Sequence, residues 1–521
     1  MIEDDGRPRI SWKADSSFFA ISSLELSPAA ADLDTEKKDA LRWNRVLRVF
    51  TRIGALSSTS EADIRGVSQA LAYKPIGNII ATTQRFGKGT FEEGEGGETV
   101  QWAAGRNGRH DVIFYERNGL RHGGFGLREE SGAQPEGMIF LKEHTARLEQ
   151  DSGEQNLTKP WQRRHAILEL AWNIDGTALA VVIQRGGEGS PSQKLVDSCL
   201  IVQIWTTGNY HWYLKQEIRV QDGGDGSAGL PGSLIRWHPE NPMELYIAAS
   251  RKVHHYTFAP DTAATLDAPP LDTACVAVAD GVATLLTPFR LQNVPPPMSS
   301  MAISVPETSQ RQGSATSVPV HYAWASVPPP AGSPQHSSHV LALLSADGRV
   351  EIISFDWGVM GRHVPIGGRP VAVPRRKACI KFHDKLPSDV TVLQVAVSAS
   401  RTTSDPSADP TIDVVVFGMR DSNVAFCSTA RVSGDLVDLS GSDLPQQSSA
   451  ITRGRIVSSK GSPSFFLLET ELEEDGTPRS SLFNHSDEEP RDLPDSVPSF
   501  CNEIVLLSSQ PFQAAGLAAN G

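Results

Sequence analysis

The feature that most constrains this chain is a motif that recurs four times in its first half. "ISWKADSSFFAIS" (Ile10–Ser22) is echoed by "LAYKPIGNIIATT" (Leu71–Thr83), "LAWNIDGTALAVV" (Leu170–Val182) and "IRWHPENPMELYIAA" (Ile235–Ala249). Each sets an aromatic (Trp12, Tyr73, Trp172, Trp237) ahead of a polar turn and a short apolar strand. The first three are followed by a second strand with an aromatic near its end: "RVLRVFTR", "DVIFYERNG" and "VQIWTTGNY". The fourth is followed more loosely by "VHHYTFAP". A strand–turn–strand–loop–strand unit rich in β-branched and aromatic residues cannot bury its face alone, whereas stacked copies can. That is how a propeller blade reads.

The leading aromatics stand 61, 99 and 65 residues apart (Trp12 to Tyr73, to Trp172, to Trp237). A compact WD40 unit has roughly 40–45. The excess falls in Gly-rich or charged stretches such as "RFGKGTFEEGEGGETVQWAAGRNG". The signature Trp-Asp is missing, since Trp205 is followed by Thr206, so the blades are degenerate. After residue 262 the pattern restarts in "ACVAVADGVATLLTPF", "HVLALLSADGRVEIISFDW" and "DVVVFGMRDSNVAFCSTARV", paired strands about tight turns, with Pro/Ser-rich stretches between them.

The expectation is an all-β chain of two WD40-like β-propellers in tandem, residues 1–262 and 263–521. Disordered loops are expected near 86–108, 128–160, 303–338 and 469–496. A weak 3.6-period pattern around Lys142–Gln150 is the one helix candidate. About four blades fit before residue 262, and "GLAANG" reads as a strand without its return, so both propellers are expected to be incomplete here.

Composition narrows the function. No segment approaches the roughly 18 uninterrupted apolar residues of a membrane span, so no membrane role is expected. The five cysteines are odd in number, scattered and never in CxxC spacing. That argues against a disulfide framework or zinc site and fits a reducing compartment, the cytoplasm or nucleus. A formal charge of −13 disfavours the whole chain as a nucleic-acid grip.

Nothing in the chain nominates a catalytic residue, metal ligand or cofactor. There is no GxSxG elbow, P-loop, dinucleotide fingerprint or HExxH. "GKGTFEEGEGG" carries glutamates where a phosphate cradle needs bare backbone, and reads as a flexible insertion. His110, His254 and His255 have no carboxylate or cysteine at ligand spacing, and read as satisfied or exposed loop histidines.

Two basic patches, "KPWQRRHA" (159–166) and "RPVAVPRRKACIKFHDK" (369–385), read as solvated loops. The alternative is weak RNA contact through Arg375, Arg376 and Lys377. Two hairpins are the better surface candidates. In "DVIFYERNGLRHG", Asn118-Gly119 predicts a type I′ turn, and Arg117, Arg121 and His122 crowd around it. In "VQIWTTGNYHWYLKQEI", alternation sends Tyr210, Trp212 and Leu214 to one face and His211 and Tyr213 to the other. These aromatics either pack between blades or form a protein-contact surface, since Tyr, Trp and Arg dominate interface hot spots.

"ISWKADSSFFAIS", "RVLRVFTRIGALSSTSE", "DVIFYERNGLRHG", "LAWNIDGTALAVV", "VQIWTTGNYHWYLKQEI" and "NVPPPM", in this order, resemble the Elongator complex protein 1 family over about Ile10–Met298. Beyond that the resemblance rests on strand pattern and "VPSFCNEIVLL". It implies a non-catalytic scaffold with two N-terminal propellers. The implied partners are a second propeller subunit and a radical-SAM/acetyltransferase-like catalytic subunit, in an assembly that modifies wobble uridine of tRNA at carbon 5. The family's helical repeats, dimerisation segment and basic tRNA-binding stretch have no counterpart in these residues. Homodimerisation is therefore expected of the full-length protein, and contact with tRNA is expected to be indirect. The other readings are a generic WD40 adaptor and an RNA-binding propeller using 159–166 and 369–385.

Overall fold

The computed structural model describes residues 7–28, 41–60, 67–84, 90–94, 97–101, 112–127, 139–140, 165–185, 199–220, 234–249, 252–258, 262–265, 273–292, 299–304, 318–327, 338–345, 348–357, 372–382, 390–400, 410–420, 425–433, 436–443, 453–458, 465–472, 478–484, 491–492, 501–509 and 512–518. No α-helix occurs among the described residues, and Lys142–Gln150 lies outside them. The chain divides into two compact units, Met1–Ala133 with Gly153–Pro260, and Gln134–Ser152 with Asp261–Gly521.

Each recurrence of the motif builds one antiparallel sheet of the first unit. β1 (Arg9–Trp12), β2 (Phe18–Pro28), β3 (Leu41–Thr51) and β4 (Leu56–Thr59) form the first blade in sequence order. β5 (Val67–Tyr73) and β6 (Ile79–Gln84) begin the second. A separate hairpin of β7 (Thr90–Gly94) and β8 (Gly97–Gln101) intervenes before β9 (Val112–Glu116) and β10 (Arg121–Phe125) complete it. β11 (Ile139–Phe140) belongs to the second unit. β12 (His165–Trp172), β13 (Ala178–Arg185), β14 (Cys199–Gly208) and β15 (His211–Val220) form the third blade. β16 (Leu234–Trp237), β17 (Glu244–Ala249) and β18 (Lys252–Thr257) form the fourth. The leading strands β1, β5, β12 and β16 lie side by side.

In the second unit, β19 (Ala263–Ala264), β20 (Cys275–Asp280), β21 (Ala283–Pro288) and β22 (Met301–Ser304) form one blade. β11 adds to it in parallel, Ile139 opposite Ile303. Then come β23 (Pro319–Val327), β24 (Ser338–Ser345), β25 (Arg349–Trp357) and β26 (Ala372–Lys381). β27 (Val390–Ser400), β28 (Thr411–Arg420), β29 (Ala425–Ser433) and β30 (Leu436–Asp443) follow, and after them β31 (Arg453–Ser458), β32 (Phe465–Leu472), β33 (Pro478–Asn484) and β34 (Arg491–Asp492). β35 (Cys501–Ser509) and β36 (Phe512–Ala518) pair with each other. The chain is two tandem propellers.

Four expected loops contain strands instead. β7 and β8 occupy part of 86–108, β11 part of 128–160, β23 part of 303–338, and β32, β33 and β34 part of 469–496. Backbone pairing needs no apolar run, so "TFEEGEGGETVQ" folds back on itself at Gly94 and Gly97. "PVHYAWASV" does alternate, but Pro/Ser-rich flanks obscure it in the sequence.

The core lies between blades. Ala20, Leu47, Val49, Ile80 and Ile113 pack the first blade on the second, and Val182, Val202, Ile204, Leu245 and Ile247 pack the third on the fourth. Val340, Ala342, Ile352, Val395 and Val414 do the same in the second unit. Each fully buried aliphatic side chain contributes about 1.5–3 kcal/mol. Cross-blade hydrogen bonds fix the register. Tyr73 N–H donates to Ser11 Oγ at 2.8 Å, and Trp237 Nε1 donates to the Ala171 carbonyl at 3.0 Å.

The fourth strand of a blade repeatedly carries a one-residue bulge. Phe50 and Val49 oppose Leu56 and Ser58, leaving Ser57 over. His122 in β10, Lys215 in β15 and Lys377 in β26 are left over in the same way.

Candidate interaction surface

The β9–β10 turn is not type I′. Only Gly119 has positive φ (+90°), and Asn118 does not. Gly119 N–H donates to the Glu116 carbonyl at 2.9 Å, and Glu116 N–H to the Leu120 carbonyl at 2.8 Å, which makes a three-residue loop closed by a glycine bulge. The Asn118 side chain decides it: Oδ1 accepts the Leu120 N–H at 2.9 Å, and Nδ2 donates to Glu116 Oε2 at 3.2 Å. A Cβ on Gly119 would stand 2.2 Å from the Thr59 carbonyl oxygen, so this turn is seated on the first blade.

Of the three residues expected to crowd this turn, Arg117 and His122 serve it. The Arg117 guanidinium lies 4.5 Å over the Phe18 ring, the Arg117 backbone N–H donates to the Asn78 carbonyl at 2.9 Å, and the Arg117 backbone carbonyl accepts from Ser58 Oγ. Burial pushes the Tyr73 hydroxyl up, and the Arg117 charge opposes that shift. His122 Nδ1 is 3.0 Å from Glu116 Oε1. Arg121 is exposed at the start of β10.

The type I′ turn is in the other hairpin. Gly208 pairs with His211, and Asn209 and Tyr210 between them have φ of +49° and +62°. Tyr210 is therefore a turn residue rather than a strand residue, and is 103% exposed. Trp212 points inward between blades, stacked on Phe114 at 5.1 Å and Phe125 at 4.9 Å, with Trp172 at 5.8 Å. Tyr213 is buried, with His211 at 4.5 Å and Lys215 Nζ at 5.0 Å from its ring. Trp212 and Tyr213 are thus packing residues, whereas Tyr210 is exposed and His211 half-buried.

The basic stretch 369–385 is also corrected. Residues 372–381 are strand β26 rather than a loop. Arg376 is buried, with Nε and Nη2 on the Glu351 carboxylate at 2.6 and 2.7 Å, so phosphate cannot reach it. Arg375 points outward, 3.6 Å from Asp356, and Lys377 occupies the bulge. Of 159–166, only the backbone of His165 and Ala166 is described. His254 and His255 are on β18 rather than a loop, and His255 Nε2 lies 3.3 Å from Glu244 Oε2. His110 lies outside the described residues. Among the described residues no cluster of three His, Cys, Asp or Glu is placed to hold a metal.

Sequence reading missed three exposed apolar turn residues, Ile53, Ile76 and Ile174. The signal was present: each sits inside a glycine-closed turn ("RIGA", "PIGN", "NIDG"), too short to carry its side chain to a core.

Residues 1–240 match the family described as ELP1 first N-terminal beta-propeller, and residues 278–519 match ELP1 N-terminal second beta-propeller. Elongator complex protein 1 of Schizosaccharomyces pombe is 29% identical over 302 residues, 58% of this chain and 17% of that protein. The Saccharomyces cerevisiae protein of that name is 32% identical over 289 residues, 56% and 16% respectively. Putative elongator complex protein 1 of Xenopus laevis is 32% identical over 302 residues, 58% and 19%. The matched region is thus less than a fifth of each relative's length. With both propeller families matched in tandem, on a chain whose described sheets divide into two propeller units, this protein belongs to the Elongator complex protein 1 family.

Proposed function

We propose that this chain is a non-catalytic scaffold of the Elongator complex. It holds the radical-SAM/acetyltransferase-like catalytic subunit and the second propeller subunit while the assembly modifies wobble uridine of tRNA at carbon 5. The observation that carries the reading is the tandem match of both propellers to that family. The engagement of Arg117, His122 and Asn118 in holding a turn, rather than facing a cleft, agrees with it. Contact with tRNA is indirect, homodimerisation belongs to the rest of a longer protein, no cofactor is needed, and the scaffold works in the cytoplasm, with the nucleus as a second compartment. The RNA-binding alternative loses Arg376 to its pair with Glu351.

The test is affinity purification of the tagged chain with the other subunits co-expressed. Retention of the catalytic and second propeller subunits, with no uridine modification by the chain alone, is the expected result. Turnover by the isolated chain, or failure to retain either subunit, refutes the scaffold reading.

A further inference from the structure

The fourth strand of a blade pairs along one edge and turns the other outward, where its backbone N–H and C=O groups need other partners. Among the described residues these outer strands differ in how that edge is guarded. β4, β10, β15 and β26 each carry a bulge. β30 and β34 pair evenly but hold charged residues, Asp438 and Asp443 in the one and Arg491 and Asp492 in the other. Bulges and charges keep a stray strand from joining an edge. β22, "MAIS", has neither. It pairs evenly with β21 from Met301 to Ser304 and contains no charge, proline or glycine.

β22 is also where the outer edge is occupied. β4, β10, β15, β26, β30 and β34 end their sheets, whereas β22 has β11 beyond it. Ile139 stands opposite Ile303 and Phe140 opposite Ser304, in parallel. A short turn cannot deliver a parallel neighbour, which needs a long connection. Here the neighbour comes from a distant part of the chain. Gln134–Ser152 belong to the second unit, although Met1–Ala133 and Gly153–Pro260 belong to the first. The segment reads "GMIFLK", four apolar residues between Gly137 and Lys142 in a stretch, 128–164, that is mostly polar.

The two partners are held differently. Met301 and Ile303 are buried with Cys275, Leu286 and Phe355, so side chains anchor the strand that offers the edge. β11 is held there by the pairing of two residues. The ladders of β19 with β20, β20 with β21 and β21 with β22 do not involve it. Losing β11 is therefore a local opening rather than unfolding of the blade.

We propose that the outer edge of β22 is a strand-acceptor site, and that residues 138–141 of this chain are its occupant, a strap that adds to the second propeller in parallel and lifts without unfolding it. This goes beyond the scaffold reading and does not depend on it.

Hydrogen exchange on the full chain, read segment by segment, tests the proposal in two variants. One is Phe140→Pro, which removes a backbone N–H from the strap. The other replaces Met138–Leu141 with Gly-Ser-Gly-Ser. In both, the outward-facing amides of β22 are expected to exchange at least about tenfold faster than in the parent chain, as a local opening allows. Exchange in Ser338–Ser345 of β24 is expected to stay unchanged. Excess synthetic peptide with the sequence of residues 136–143, "EGMIFLKE", is expected to return β22 of the Gly-Ser variant to the parent rate. The same peptide with proline in place of its phenylalanine is expected to leave it fast. Unchanged β22 exchange in either variant overturns the strap, and so does loss of protection in β24, which would make the segment part of the fold. Failure of the intact peptide to restore protection, or equal restoration by the proline peptide, overturns the acceptor site.

Discussion

Gly119 and Gly77 separate two reasons for a glycine. Both have positive φ, +90° and +95°, but Gly77 has nothing near its missing Cβ, whereas Gly119 faces a backbone carbonyl of the first blade. Gly77→Ala is expected to cost about 1–2 kcal/mol of backbone strain. Gly119→Ala adds a clash that only movement of β4 relieves, so it is expected to cost more; denaturant titration of the pair checks the order. The Asn-Gly signal for a turn was legible at this site, but the turn type was not. It depends on Asn118 capping Leu120 and on the approach of Thr59, a contact from another blade. Trp212→Ala is expected to destabilise by about 3–5 kcal/mol through loss of its ring stack. Cys379 belongs to the same scale. Burial first, then the neighbouring Glu351, pushes its thiol from the ordinary 9.0 up to about 12. Its folded value is raised, so the stability it contributes is present below pH 9 and lost as pH rises toward 12. At pH 8 it is expected to carry about a thousandfold less thiolate than an ordinary cysteine, measured as slow iodoacetamide labelling that denaturant accelerates.

At the level of elements, alternation was the most readable signal, and bulges mark where it stops. Within His211–Leu214 the period-2 reading holds: His211 contacts Tyr213, and Trp212 shares its face with Leu214. Lys215 then takes an unpaired place, and the phase shifts by one residue. Deleting Lys215 is expected to leave Gln216–Val220 on their present partners and faces in an even ladder, so thermal scans still show cooperative unfolding while the strand loses its kink. The bulge at Lys377 explains why "PRRKACIK" looked like a loop. Three consecutive basic residues have no alternation, yet Arg375 points out, Arg376 in, and Lys377 falls between ladder pairs. Nothing in one sequence tells which arginine has a glutamate waiting for it on the neighbouring strand.

Across the whole molecule, the repeated motif and its restart after residue 262 made the two propellers readable. The pairing of Ile139 with Ile303 did not follow from local pattern, because it joins residues distant in sequence. The two units give a test at this scale. Glu351→Gln leaves the buried Arg376 without its counter-charge and is expected to cost the second unit about 3–5 kcal/mol. The variant's denaturation curve against that of the parent chain checks the loss. The bulges at Ser57, His122, Lys215 and Lys377 also bear on how the molecule behaves among its own copies. A blade's last strand offers an open row of donors and acceptors, and a flat row recruits another chain into a growing stack. A kinked row with a spare lysine or histidine breaks that match, so the blades that carry one resist polymerising edge to edge even when crowded.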